Sequence, residues 1–151
     1  MNTTGYPGFD LWVEKLMLRY GVSEVKIIKA PPHAGGALNT NTELLEFILF
    51  AKTGGWKSVA IVASPFHQLH SLVNAITVAI REYPEFRLYS LAGTVLPWGE
   101  RVRHSQRMLV DTRAGLIHKE MDRIRRYTEQ GDLPPAEAIL AYMDERDVQN
   151  Q

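Results

Sequence analysis

Ser64, His67 and His70 follow one another at intervals of three, directly after the apolar run Val59-Ala60-Ile61-Val62-Ala63. Ser64-Pro65 reads as the opening of a helix, with the serine as N-cap and proline at the first helical position, where its missing amide costs nothing. Both Ser64 and His67 then stand in the first turn, where free amides and the positive dipole end favour an anion such as a phosphate or carboxylate and disfavour imidazolium. A neutral His67 in that place is a base or a hydrogen-bond donor to a ligand, and it is the candidate catalytic residue. The alternative is that Ser64 only caps the helix and His67 is an exposed first-turn residue. A Ser-His hydrolase fits less well, because a capping serine uses its oxygen on the backbone and no aspartate is placed to complete a triad. His70 and Asn74 continue the stripe, and His33 and His104 stand in loops that could approach it. Histidines three or four apart on a helix can chelate a metal, but nothing in the spacing supplies the remaining ligands, so no metal is assigned.

The elements that must position these residues are legible from periodicity. Trp12, Val13, Leu16, Met17 and Tyr20 repeat at three and four, predicting a helix over about 9–20 stopped by Gly21. Val25 to Lys29 is short, β-branched and closed by Pro31-Pro32, and reads as a buried strand. Thr40 and Glu43 have the spacing of a capping box for a helix over about 41–53, ended by Gly54-Gly55. Ser58 to Ala63 lacks polar alternation and is expected to be a strand covered on both faces. The third helix runs from 64 to about 82, and Phe86 to Leu91 is a third strand, interrupted by Arg87 and Ser90 as suits an edge. A loop over about 92–111 precedes a helix over about 112–129, capped by Asp111 or Thr112 and stopped by Gly131. Leu116, Glu120, Met121, Ile124 and Tyr127 carry its periodicity. A last amphipathic helix begins at Pro134-Pro135.

Strands alternating with helices imply parallel pairing through right-handed crossovers. The expected fold class is therefore α/β, a Rossmann-like three-layer sandwich with a small parallel sheet and extra C-terminal helices. Ligands bind such folds at the carboxyl ends of the strands. Three strands make a small sheet, and its open apolar edge is an aggregation hazard unless a partner chain covers it.

Composition narrows the partners. The 151 residues suffice for one domain, and 17 basic residues balance 17 acidic ones, so nothing steers the chain as a whole to nucleic acid or an anionic membrane. No cysteine is present, which removes disulfides and thiolate metal sites and is simplest in a reducing cytoplasm. The residues from Met1 to Gly8 have neither a basic segment nor an apolar core, and no apolar run nears the ~20 residues of a membrane span. A cytoplasmic protein without a membrane partner is expected.

Asn39-Thr40-x-Thr42-Glu43 opening a helix, Gly55-Trp56-Lys57-Ser58-Val59 leading into a strand and Ser64-Pro65-Phe66-His67 at its end together resemble the YdcF-like family, which includes the SanA and ElyC proteins. The likeness covers about residues 9–98. It implies a Rossmann-like fold, S-adenosylmethionine binding in one branch and cell-envelope roles in others. Family members usually carry an arginine three residues after the motif histidine, where this chain has His70. They also begin with a strand and a glycine-rich turn, absent here, so residues 1–151 resemble the later part of that domain.

The resulting candidates are Asn39, Thr40 and Glu43 to shape a pocket, and Ser64, His67 and His70 to hold a small anionic or nucleotide-like ligand. Capping explains Asn39, Thr40 and Glu43 almost fully, and the cap and the pocket compete for Glu43. Gly35-Gly36 and Gly93 would permit close backbone approach but also suit plain turns. Trp98 with Arg101, Arg103 and Arg113 would make a lid, an aromatic face for a base and guanidinium forks for a phosphate. The plainer reading is a surface loop before a charged helix whose solvated side holds Arg123, Arg125 and Arg126. The functional alternative is a non-catalytic module that pairs with a second copy through the sheet edge, or a truncated remnant.

Overall fold

The structure, a computed structural model, describes residues 9–28, 40–103 and 110–148. Five α-helices and four short strands follow one another among these residues: α1 (Phe9–Tyr20), α2 (Thr40–Thr53), β1 (Ser58–Ile61), α3 (Gln68–Glu82), β2 (Arg87–Ser90), β3 (Arg101–Arg103), β4 (Val110–Thr112), α4 (Arg113–Glu129) and α5 (Ala136–Val148). The fold is α/β, with β1 and β2 paired in parallel and β3 and β4 forming a separate antiparallel pair.

Helix α3 is the centre of the molecule. Its apolar residues are not confined to one stripe: Leu72, Val73, Ala75, Ile76, Val78 and Ala79 are all buried, which requires neighbours all round. Those neighbours are α2, α4, α5 and the β1–β2 pair, bringing Ile48 and Ala51 from α2, Phe86 and Leu88 from around β2, and Ile139 and Tyr142 from α5 into one cluster. Each fully buried large aliphatic contributes about 1.5–3 kcal/mol. Three turns among the described residues, at Gly21, Gly55 and Gly131, use glycine in the left-handed region that other residues reach only with strain. At Gly55 (φ 68°) Trp56 N–H bonds Ala51 O and at Gly131 (φ 80°) Asp132 N–H bonds Tyr127 O, both closing the preceding helix.

Several expectations need correction. Val25 to Lys29 is not a strand over its described part: Glu24–Lys26 is a single 3₁₀ turn, held by Lys26 N–H to Ser23 O and Ile27 N–H to Glu24 O, and Val25 is 87% exposed. β-branched residues favour strands when a pleated neighbour is there to pack on. Among the described residues no strand lies beside this segment, and local bonds take its place. β1 is covered on one face only, its residues alternating between exposed and half-buried. The stretch 92–111, expected to be loop throughout, contains β3 and β4, with Val102 opposite Asp111.

The start of α3 also moves. The helix begins at Gln68, and Ser64 to His67 form a turn closed by His67 N–H to Ser64 O at 2.8 Å, so Pro65 is not the first helical residue. Gln68 explains the shift. Its Oε1 accepts from Ala63 N–H (2.5 Å), while its Nε2 donates to Ile61 O (2.8 Å) and Ser90 Oγ (2.9 Å), clamping the helix start to the ends of both parallel strands. The cap of α4 falls on Thr112, whose hydroxyl accepts from Gly115 N–H at 3.0 Å.

The outer edge of β2 is covered by helix α5 rather than by a strand. The Tyr142 hydroxyl accepts from Leu88 N–H at 3.0 Å and donates to Phe86 O, and Arg146 Nη1 donates to Leu88 O at 2.8 Å. Three backbone groups that a neighbouring strand would bind are thereby satisfied by two side chains. Burial pushes the Tyr142 hydroxyl above its ordinary value near 10, so the folded state prefers the neutral phenol. We expect Tyr142→Phe to lower stability by about 1–3 kcal/mol in urea unfolding, because Leu88 N–H loses its buried acceptor. With the folded value raised, the contribution of the hydroxyl is full below pH 10 and is lost as pH rises through the folded value. The alkaline fall in stability should therefore be shallower in the variant; an identical alkaline limb would count against this account.

Candidate functional site

The site grows from one buried carboxylate. Glu120 lies on the inward stripe of α4, between Leu116 one turn before and Ile124 one turn after, and is 2% exposed. A buried carboxylate is costly unless charge and hydrogen bonds compensate it. Three side chains do so. Oε2 meets His67 Nδ1 at 3.0 Å and also His70 Nδ1, and Oε1 accepts from Arg123 Nη1 at 3.1 Å. The two imidazoles stand edge to face with centroids 5.0 Å apart, and Tyr127 lies 6.0 Å beyond His70.

The backbone explains why these groups meet. His67 ends the Ser64–His67 turn and caps α3, and His70 is in the first turn of the helix, so a separation of three residues turns both rings toward α4. Glu120 and Arg123 have the same separation on α4 and face back. Asn74, one turn after His70, donates its amide to His70 O at 2.9 Å and keeps that helix turn rigid. If Glu120 is ionised it accepts only, so each contact selects the tautomer with the proton on Nδ1 and leaves Nε2 as the acceptor of a neutral ring.

Beside this cluster opens a cavity of about 260 Å³. Thr40 and Asn41 line it from the start of α2, His67, His70 and Asn74 from α3, Arg123 and Tyr127 from α4, and Asp132 and Leu133 from the turn after α4. Its wall thus combines amide, hydroxyl, imidazole and guanidinium groups, the carboxylate of Asp132 and the apolar surface of Tyr127 and Leu133. Such a lining suits a small polar ligand, and Arg123, which gives one N–H to Glu120, keeps other guanidinium donors for an anionic group.

The structure brings together part of the expected set. Thr40, His67, His70 and Asn74 share the cavity. Asn39, His33, His104 and Gly35-Gly36 lie outside the described residues. Ser64 is exposed, does not cap α3 by its side chain and is not part of the cavity lining, because the turn puts His67 rather than Ser64 at the helix start. Glu43 is exposed on α2 and also off the lining. Trp98 and Arg101 are exposed and outside the lining too. Within the described part of the segment expected as a lid, Arg113 donates to Glu100 Oε2 (2.5 Å) and Pro97 O (2.8 Å), and Ala114 N–H bonds Trp98 O (3.1 Å).

Glu120, Arg123, Asn41 and Tyr127 were not among the expected site residues. Arg123 was grouped with the solvated side of its helix, yet it faces the carboxylate. The one available signal was Glu120 itself, a charge at an apolar position of the α4 repeat. Compared with protein-family models, with curated proteins and with solved structures, the chain matches none of them.

We expect Glu120→Ala to cost about 3 kcal/mol in chemical unfolding, since it removes the shared partner of two imidazoles and a guanidinium in a buried site. Glu120→Gln, which keeps the shape and one acceptor, should cost less. Equal losses in the two variants would mean that the lost charge alone sets the cost, and a loss near zero in Glu120→Gln would mean that packing rather than charge sets it.

Proposed function

We propose that the protein binds a small anionic or nucleotide-like ligand in the cavity between α2, α3 and α4, with His67 available for proton transfer. The observation that carries this reading is the buried Glu120 carboxylate with His67, His70 and Arg123 around it on the wall of that cavity. Glu120 holds His67 by Nδ1, which leaves Nε2 to take a proton from a ligand or water. Arg123 favours an anion in the same space, and Thr40, Asn41 and Asn74 offer neutral hydrogen-bond partners to the rest of the molecule. The motif resemblance to YdcF-like proteins points the same way, to a Rossmann-like arrangement and to S-adenosylmethionine as one compound to test.

Thermal unfolding with inorganic pyrophosphate, nucleotides, sugar nucleotides and S-adenosylmethionine tests this directly. A ligand at 100 times its dissociation constant adds about 2.7 kcal/mol, several degrees for a chain of this size. The shift should vanish in His67→Ala and in Arg123→Gln, with His67→Ala itself losing no more than about 1.5 kcal/mol of stability. No shift with any of these compounds, or one that survives both substitutions, would sink the reading.

A second reading is assembly of two copies through the sheet. α5 covers the β2 edge, but among the described residues no strand pairs with the other edge of β1, and Val62 just beyond it is 63% exposed. Helix α1 also exposes Leu11, Leu18 and Tyr20. Two β1 edges related by a two-fold axis would be self-complementary. Sedimentation should then give a dimer that Val62→Lys dissociates, and a monomer at every concentration would remove this reading.

A further inference from the structure

Glu120 Oε2 receives two imidazole nitrogens at once, and the three donor atoms of His67, His70 and Glu120 all lie within 4.8 Å of one another. We propose that this trio is a binding site for a divalent first-row metal ion, of the zinc or iron(II) type, held by two histidines and one carboxylate with its open positions toward the cavity. The inference rests on the same cavity wall as the reading above, but its test reads the metal itself.

Four features carry it. The donor set comes first: two imidazoles with a carboxylate select Zn²⁺, Fe²⁺ and their neighbours over Mg²⁺ and Ca²⁺, which prefer oxygen throughout, and the absence of cysteine excludes a thiolate site. Spacing comes second. Bonds of about 2.0–2.2 Å place two ligands of one ion roughly 3–3.5 Å apart, so the 3.0 Å between His67 Nδ1 and Glu120 Oε2 suits a shared metal, and the closer His70 Nδ1 has to move outward from Oε2 to admit it. Rigidity is the third feature, since Glu120 and His70 are buried on two packed helices, and Asn74 braces the turn that bears His70. Support behind the ligands is the fourth. Arg123 holds Oε1 and leaves Oε2 to the ion, as a hydrogen-bond donor behind a ligating carboxylate does.

Three protein donors leave positions open, the arrangement of metal sites that bind a water or a substrate atom rather than purely structural ones. A divalent ion with Glu120 and Arg123 leaves the cluster net positive, which fits an anionic oxygen or hydroxide in the remaining space.

The experiment uses the full chain, stripped with a chelator and dialysed, then titrated with Co²⁺ and Zn²⁺. The expected result is one ion per chain, a visible Co²⁺ ligand-field band that Zn²⁺ quenches, and a higher unfolding temperature, with no response to Mg²⁺ or Ca²⁺. His70→Ala should weaken Zn²⁺ binding at least tenfold, and so should His67→Ala, whose half-buried position keeps the fold intact if the His70 variant does not fold. No band and no stoichiometric Zn²⁺, or binding of equal strength in folded His67→Ala, overturns the proposal. Metal binding with no anion response would leave this inference standing and remove the reading of the previous subsection; the reverse result would do the opposite.

Discussion

A carboxylate removed from water constrains everything packed around it. Glu120 sits 2% exposed in the middle of α4, where its desolvation must be offset by donors held in fixed places. His67 and His70 supply two from α3 and Arg123 a third from α4 itself. Because the histidines belong to the start of α3, satisfying Glu120 fixes how far α4 can slide or rotate along its neighbour. The cavity beside the cluster follows from that register, with α2 closing one side and the turn after α4 another.

The start of α3 is under a second constraint of the same kind. Gln68 uses both ends of its amide on the sheet, taking Ala63 N–H and giving to Ile61 O and Ser90 Oγ. One neutral side chain thus ties the helix to the carboxyl ends of β1 and β2. His67 immediately before it and His70 just after it inherit that placement, so the geometry of the cluster traces back to the sheet ends. Polar contacts, rather than apolar packing alone, decide where the functional end of this helix begins.

A parallel pair of strands is too small to shield itself. On the β2 side α5 supplies Tyr142 and Arg146 to Phe86 and Leu88, a substitute for a missing neighbour strand built from side chains. Described residues do not do the same for β1. The contrast between a finished edge and an open one, with exposed apolar residues on α1 and at Val62, is what gives assembly its weight as a second reading.

Much of the framework was legible from residue spacing alone. Helices α1, α2, α4 and α5, the strands at β1 and β2, and the stops at Gly21, Gly55 and Gly131 follow from periodicity and backbone preference, which act within a few residues. His67, His70 and Asn74 were placed on one stripe by the same rule. Spacing failed where the outcome depended on distant neighbours. Val25 to Lys29 has strand-like residues but, over its described part, no strand beside it; Ser64-Pro65 has the form of a cap, but Gln68 found better partners on the sheet. Glu120 could be seen as a charge on an apolar stripe, but its two histidine partners are 50 and 53 residues away in the chain. The sequence by itself determined which residues could do chemistry and which elements would carry them. Only the tertiary structure decided which of them meet, because the cost of burying a charge is settled by whatever donors the packed helices bring within hydrogen-bond reach.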